Sequence, residues 1–119
     1  MSKPRSRLID YEGVERRLVH GFVTEAHFGK QAKHIEGARE QDVSRSPVTV
    51  GIVRIQELVD LYAGTGLWRG DHKEVVDFHE VIGVYIAPET GERVLTTKGT
   101  IHYSKKGCHV VPASPSEEK

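Results

Sequence analysis

The spacing of apolar residues changes once along the chain, and that change limits the folds available to it. Apolar side chains recur at the spacing of one helical face at Ile55, Leu58, Val59 and Tyr62. Gly64 follows as a helix stop. From residue 75 onward, β-branched and apolar runs alternate with turn residues, which is typical of strands. A helix followed by a four-stranded antiparallel β-meander predicts the α+β class.

The strands and the segments before the helix are assigned from local composition. The predicted strands of the meander are 75–87, 92–97, 99–104 and 108–112. Other predictions are a strand or short helix at 16–25, one or two helical turns ending at Gly37 in 26–37, a loop at 38–47, and a short strand at 48–53.

The bulk properties indicate one globular domain. The chain has 119 residues, and we expect a flexible segment at 1–15, a single domain at 16–113 and a disordered tail at 114–119. A single cysteine excludes a disulfide framework within the chain. No run is long and apolar enough for a membrane span, and the N-terminus lacks an apolar signal-peptide core. We therefore expect a cytoplasmic protein with no membrane partner.

The charges are balanced overall but unevenly distributed. The formal net charge is +0, which argues against a protein that coats nucleic acid non-specifically. Residues 54–92 contain three basic and eight acidic residues, a net charge of −5. Residues 93–119 contain five basic and two acidic residues, a net charge of +3. Positive charge is therefore concentrated in the last strands.

The segment 96–113 carries most of the chemically useful side chains. It holds two of the seven histidines, several hydroxyl groups and three lysines, and it has no acidic residue. Side chains of a strand alternate between two faces, so Thr100, His102 and Ser104 are expected on one face. Ile101 and Tyr103 would then lie on the opposite face, in the core.

The position of His109 depends on the turn between the last two strands. A two-residue loop at Lys106 and Gly107 pairs Ser104 with His109 and puts both histidines on the polar face. A three-residue loop, with Gly107 left-handed, pairs Ser104 with Cys108 and turns His109 to the other face. The segregation of polar from apolar residues favours the first register, and the glycine position favours the second.

This composition suits RNA cleavage without a metal. One imidazole removes the 2′-hydroxyl proton, another protonates the departing 5′-oxygen, and cations stabilise the phosphorane. A zinc site formed by His34, His102 and His109 is the alternative, but the chain has no HExxH or CxxC motif, so we predict no metal and no cofactor. Cys108 and His109 are neighbours in a strand and point to opposite faces, so they are a poor nucleophile–base pair.

Five segments occur in a recognisable order: GKQAKHIEG (29–37), SRS (44–46), QELVDLYAGTG (56–66), VIGVYIAPETGERV (81–94) and TTKGTIHYSKKGCHVVPA (96–113). Together they resemble one known family, the polymorphic toxin type 50 domain. The resemblance implies a bacterial or phage ribonuclease toxin of the superfamily that groups barnase, EndoU, colicin-type tRNases and RelE. It also implies an N-terminal helical part packed on a four-stranded antiparallel sheet, and products with 2′,3′-cyclic phosphate ends. Glu36 stands where the family often has proline.

The resemblance also implies a set of site residues. The residues that match the family's catalytic positions are His34, His102, Ser104 and His109, with His34 and one sheet histidine as the acid–base pair. The expected phosphate or substrate contacts are Lys33, Arg45, Lys98, Thr100 and Lys105. The expected partners are RNA, with tRNA as one possible target, and an immunity or inhibitor protein. The alternative is an inactive binding module of the same fold that captures a host or phage protein.

Overall fold

The described part of the protein combines two helices with eight strands. A computed structural model describes residues 18–37 and 45–117, so the predicted flexible segment 1–15 lies outside the described residues. The helices are α1 (Phe28–Ala32) and α2 (Ile52–Tyr62). The strands are β1 (Leu18–Val19), β2 (Phe22–Val23), β3 (Leu67–Trp68), β4 (Lys73–Asp77), β5 (Gly83–Ile86), β6 (Arg93–Thr96), β7 (Lys98–Ser104) and β8 (Gly107–Pro112). The predicted α+β class is confirmed. Neither helix in these ranges is long and apolar enough to span a bilayer.

The main sheet has four antiparallel strands, but it is not the predicted meander. Its order is β3-β4-β7-β8, while β5 and β6 form a separate two-stranded hairpin. The predicted strand 75–87 is wrong because its residues divide between β4 and β5. The break follows Asp77, whose side chain accepts a hydrogen bond from the amide of His79 at 2.9 Å. His79 has a left-handed φ of 63°, which turns the chain out of the sheet.

The predicted helix is confirmed as α2. Its apolar face is buried against the sheet through Ile55, Leu58 and Val59. Gly64 adopts a left-handed φ of 96° just after the helix, as a stop signal requires. The opposing core residues include Val76 and Ile101 of the main sheet.

The segment before α2 is less helical than predicted. Residues 18–23 form the β1–β2 hairpin, so the strand alternative for 16–25 holds where the structure describes it. The helical turn predicted in 26–37 exists as α1, but it ends at Ala32, with Lys33 as its C-cap, rather than at Gly37. Gly37 still takes a left-handed φ of 81° in the following turn.

Two buried glutamine side chains complete the hydrogen bonding of the N-terminal segment. The amide of Gln31 donates to the carbonyl of Val110 at 3.0 Å and accepts from its N–H at 2.7 Å. Gln56 makes the same double contact, donating to the Thr24 carbonyl and accepting from the Ala26 N–H. Each side chain thus pairs with backbone as another strand would. Gln31 in particular fixes α1 against the edge of β8.

A buried carboxylate joins the end of α2 to the main sheet. Glu74 of β4 is fully buried and accepts hydrogen bonds from the amides of Gly64 and Gly66. It also accepts one from the Tyr103 hydroxyl at 2.7 Å. These donors satisfy the carboxylate oxygens inside the fold, where water does not reach them. The loop can approach this closely only because residue 66 has no side chain.

Replacing Gly66 with alanine should therefore destabilise the fold strongly. A Cβ there would lie 2.0 Å from the carbonyl oxygen of Val75, which is backbone and cannot move aside alone. We expect a loss of about 3 kcal/mol or more in the free energy of unfolding. Gly51→Ala is the matched control, since a Cβ at Gly51 meets nothing within 4 Å. Urea unfolding of both variants tests this, and equal stabilities would contradict the packing described.

Candidate active site

The β7–β8 hairpin sets the geometry of the site. Its loop is Lys105–Lys106, which pairs Ser104 with Gly107 and His102 with His109. Both predicted registers are therefore wrong. The common face for the two histidines, which the first register predicted, is confirmed.

The physical reason for this register lies outside the hairpin. Gly107 has a left-handed φ of 129°, and a Cβ on it would lie 2.7 Å from the carbonyl oxygen of Glu25. Its absent side chain thus allows the close approach of the segment before α1. Ser104 closes the loop, because its hydroxyl donates to the Gly107 carbonyl and accepts from the Lys106 amide.

The two faces of β7 differ as the alternation predicted. Ile101 and Tyr103 are buried in the core, at 0% and 3% exposure. Thr100 and His102 lie half-buried on the opposite face. We call this second side of the main sheet the histidine face.

Three histidines form a stacked row at the histidine face. The rings of His102 and His109 are 4.8 Å apart between centroids and inclined by 18°. The ring of His34 stacks on the other side of His109, at 5.7 Å and 20°. His109 is therefore the middle member, in ring contact with both others. The structure thus brings together the three histidines that the sequence singled out.

His34 enters the row from the turn after α1. The side chain is only 4% exposed, and its Nδ1 lies 3.4 Å from the carbonyl oxygen of Ser46. Its backbone carbonyl accepts a hydrogen bond from the amide of Val48. With Gln31 pairing to β8 one turn earlier, this holds the ring of His34 against His109.

The surroundings keep the sheet histidines neutral. Burial, together with electrostatic repulsion from Lys73, His34 and His72, lowers the pKa of His102 to about 4. Burial likewise lowers the pKa of His109 to about 3, helped by His102, His34, Lys30 and His27. Both rings are therefore proton acceptors at neutral pH.

One nitrogen of His109 has no partner. Nδ1 is buried and makes no hydrogen bond within the described residues. A buried polar atom without a partner costs about 1–3 kcal/mol, so it is uncommon outside functional sites. Because Nδ1 is shut away from solvent, Nε2 is the nitrogen left to exchange a proton.

Two lysines near the row were not singled out from the sequence. Lys73 of β4 is the cross-strand neighbour of His102, and Lys30 of α1 lies close enough to lower the pKa of His109. His27, the N-cap of α1, accepts a hydrogen bond from the Lys30 amide through Nδ1. The position of Lys73 beside His102 follows from the register of β4 against β7. No short sequence motif encodes that register.

The other predicted site residues are spread around the row. Thr100 follows His102 on the same face, and Lys33 is exposed beside His34 in sequence. Arg45 is exposed and adjoins Ser46, whose carbonyl lies near His34. The hydroxyl of Ser104 serves the hairpin turn, and Lys105 is exposed within that turn.

Lys98 is not brought to the row. It lies four residues before His102 on β7, a separation of roughly 13 Å along an extended strand. Its ammonium group donates to the backbone carbonyl of Glu117 at 2.5 Å.

The ring geometry also bears on metal binding. In the described ranges, no group of three or more His, Cys, Asp or Glu side chains is arranged to hold a metal ion. Rings stacked nearly parallel direct their nitrogen lone pairs side by side rather than toward a common point. Cys108, adjacent to His109, is fully buried on the other face.

Comparison with known proteins adds one match. The sequence profile of Ntox50, bacterial toxin 50, matches residues 26–112. This range contains the whole histidine row and the main sheet. No curated protein sequence matches the chain.

The lowered pKa values predict a loss of stability in mild acid. The unfolded chain binds protons at histidine below about pH 6.5, whereas His102 and His109 stay neutral in the fold until about pH 4 and 3. Stability is therefore complete above pH 6.5 and falls as the pH drops toward 4. Allowing for partial solvent access, we expect a loss on the order of 1 kcal/mol per imidazole between pH 7 and 5.

Urea unfolding of His109→Phe at both pH values measures this loss. Phenylalanine keeps the stacking but binds no proton, so the variant should lose less stability in acid than the natural chain. His79→Asn removes an exposed imidazole and serves as the control. Identical pH dependence in all three proteins would contradict the lowered pKa values.

Proposed function

Because the chain belongs to the bacterial toxin 50 family, we propose that it is a toxin that cleaves RNA without a metal ion. The reaction is attack of a ribose 2′-hydroxyl on the neighbouring phosphorus, which leaves a 2′,3′-cyclic phosphate. The observation that carries the proposal is the stacked histidine row, which offers proton acceptors at 4.8 Å spacing on the half-buried histidine face.

His102 and His109 are the acid–base pair in this proposal. The neutral ring of His102 accepts the proton from the 2′-oxygen as that oxygen bonds to phosphorus. The protonated ring of His109 donates to the 5′-oxygen as its bond to phosphorus breaks. One proton is taken up and one released, so the pair returns to its starting state when the protons redistribute.

The substrate itself supplies the negative charge that favours protonation of one histidine of this pair. In the free protein, burial and neighbouring cations disfavour an imidazolium at either position. A phosphate anion beside the row favours the charged form and raises the pKa of the ring next to it. Protonation of one histidine is thereby coupled to the binding of RNA.

Cations around the row are suited to stabilise the phosphorane. Lys73 is next to His102 across the sheet, and Lys30 lies on the side of His109. Thr100 offers a hydroxyl on the same face. Positive charge placed where the transition state becomes more negative is among the largest contributions to such catalysis.

His34 acts in this proposal as a positioning residue. It is nearly buried, and His109 separates it from His102 in the row. Its stacking keeps the ring of His109 in one orientation. The same proposal has three further parts. The fold is related to barnase, EndoU, colicin-type tRNases and RelE. The protein acts in the bacterial cytoplasm, and an inhibitor protein restrains it.

Asparagine substitutions test the proposal directly. Incubated with total bacterial RNA in EDTA, the natural chain should give discrete fragments. His102→Asn and His109→Asn should each slow cleavage by about 10²–10⁴-fold, because each removes a proton-transfer group. His34→Asn should have a smaller effect. Gel analysis of fragments over time gives the rates.

His79→Asn is the matched control, since His79 is exposed and asparagine tolerates its left-handed backbone. It should cleave at the natural rate. RNA left intact by the natural chain at high protein concentration would contradict the proposal and favour the inactive binding module. Full activity of His102→Asn would place the chemistry elsewhere.

A further inference from the structure

The segment after β8 returns to the histidine face. The guanidinium of Arg69 contacts the carboxylate of Glu117 at 3.0 Å, and the ammonium of Lys98 contacts the Glu117 carbonyl at 2.5 Å. The Glu117 amide in turn donates to the carbonyl of Ser114, which turns the chain back on itself. Glu117 therefore contacts two cations, Arg69 from the residue after β3 and Lys98 from β7.

The sheet register places both cations on the histidine face. Lys98 shares its side of β7 with Thr100 and His102, because alternate residues of a strand face the same way. Leu67 of β3 pairs with Val75 of β4, and the Arg69 amide donates to the Lys73 carbonyl just beyond β3. Since alternate residues face the same way, Arg69 lies on the same side of the sheet as Lys73. Among the described residues, the acid that faces Lys98 across the sheet is Asp77.

Glu117 occupies a position suited to a phosphate, because its carboxylate contacts the Arg69 guanidinium and its backbone carbonyl oxygen accepts a hydrogen bond from the Lys98 ammonium. Guanidinium groups bind carboxylate and phosphate oxygens with the same geometry. The contact between Arg69 and Glu117 is partly exposed, at 45% and 39% of the two side chains, and exposed ion pairs are weak. An RNA phosphate is therefore able to displace it.

We propose that Arg69 and Lys98 form a second phosphate subsite for RNA, and that Glu117 occupies this subsite in the free protein. The proposal rests on the function proposed above. The subsite lies on the face that carries the histidine row, with Lys98 roughly 13 Å from His102 along β7 and Arg69 beside Lys73. It binds the backbone of the same RNA strand a few nucleotides from the bond that is cleaved.

The experiment measures binding rather than cleavage. The probe is a fluorescein-labelled RNA oligonucleotide with 2′-O-methyl groups throughout, which cannot be cleaved because it has no free 2′-hydroxyl. Fluorescence anisotropy of the full chain at low salt gives its affinity. Glu117→Gln should tighten binding by about twofold to fivefold, the size expected when one exposed ion pair no longer competes.

Two comparisons separate this local effect from the overall change of charge. Glu89→Gln makes the same charge change at an exposed turn and should alter the affinity less. Arg69→Gln should weaken binding and lower the slope of log affinity against log salt by about 0.7, the value for one lost phosphate contact on a single strand. With Arg69 already replaced, Glu117→Gln should have no more effect than Glu89→Gln.

Equal effects of Glu117→Gln and Glu89→Gln would overturn the subsite, and so would no binding of the probe by any variant. The proposed ribonuclease activity fails by a different result, which is RNA left intact in EDTA. If Glu117→Gln alone increases the affinity for the labelled RNA but the natural chain does not cleave RNA, the subsite is supported and the ribonuclease proposal is contradicted.

Discussion

The edge of β8 is the contact on which the candidate site depends. The backbone of residues 25 and 27 bonds to Cys108, and the Gln31 side chain bonds to both polar groups of Val110. These bonds satisfy an edge strand that would otherwise be open to other chains. They also fix α1, and with it His34, beside His109. The stacked row thus follows from backbone hydrogen bonding completed by one glutamine.

That arrangement disfavours positive charge on the sheet histidines, and a bound anion would reverse this effect. Three imidazoles and the lysines Lys30 and Lys73 share a partly buried region, so protonation of His102 and His109 is unfavourable in the free protein. A bound phosphate would supply the missing negative charge. On the same face, the Glu117 carboxylate already supplies one beside Arg69, and the Glu117 backbone carbonyl contacts Lys98. Both features favour an anionic ligand over a neutral one.

Local patterns in the sequence predicted the two faces of β7 better than they predicted the order of strands in the sheet. Alternation within 99–104 placed His102 on the polar face, and the family resemblance added His34. The turn register failed because Gly107 is needed for the approach of Glu25, a contact far away in sequence. The strand 75–87 failed because its composition is uniform, while the break comes from the backbone at His79. Lys73 and Arg69 were missed because pairing between distant strands brings them to the face.

The chemical form of the cleaved ends tests the central claim most directly. RNA treated with the natural chain in EDTA should end in 2′,3′-cyclic phosphate, as seen by mass spectrometry of the fragments. A substrate with a single 2′-deoxynucleotide at the cleaved position should resist cleavage there and nowhere else. Fragments with linear 3′-hydroxyl ends, or cleavage of the deoxy-substituted bond at the same rate, would contradict the mechanism.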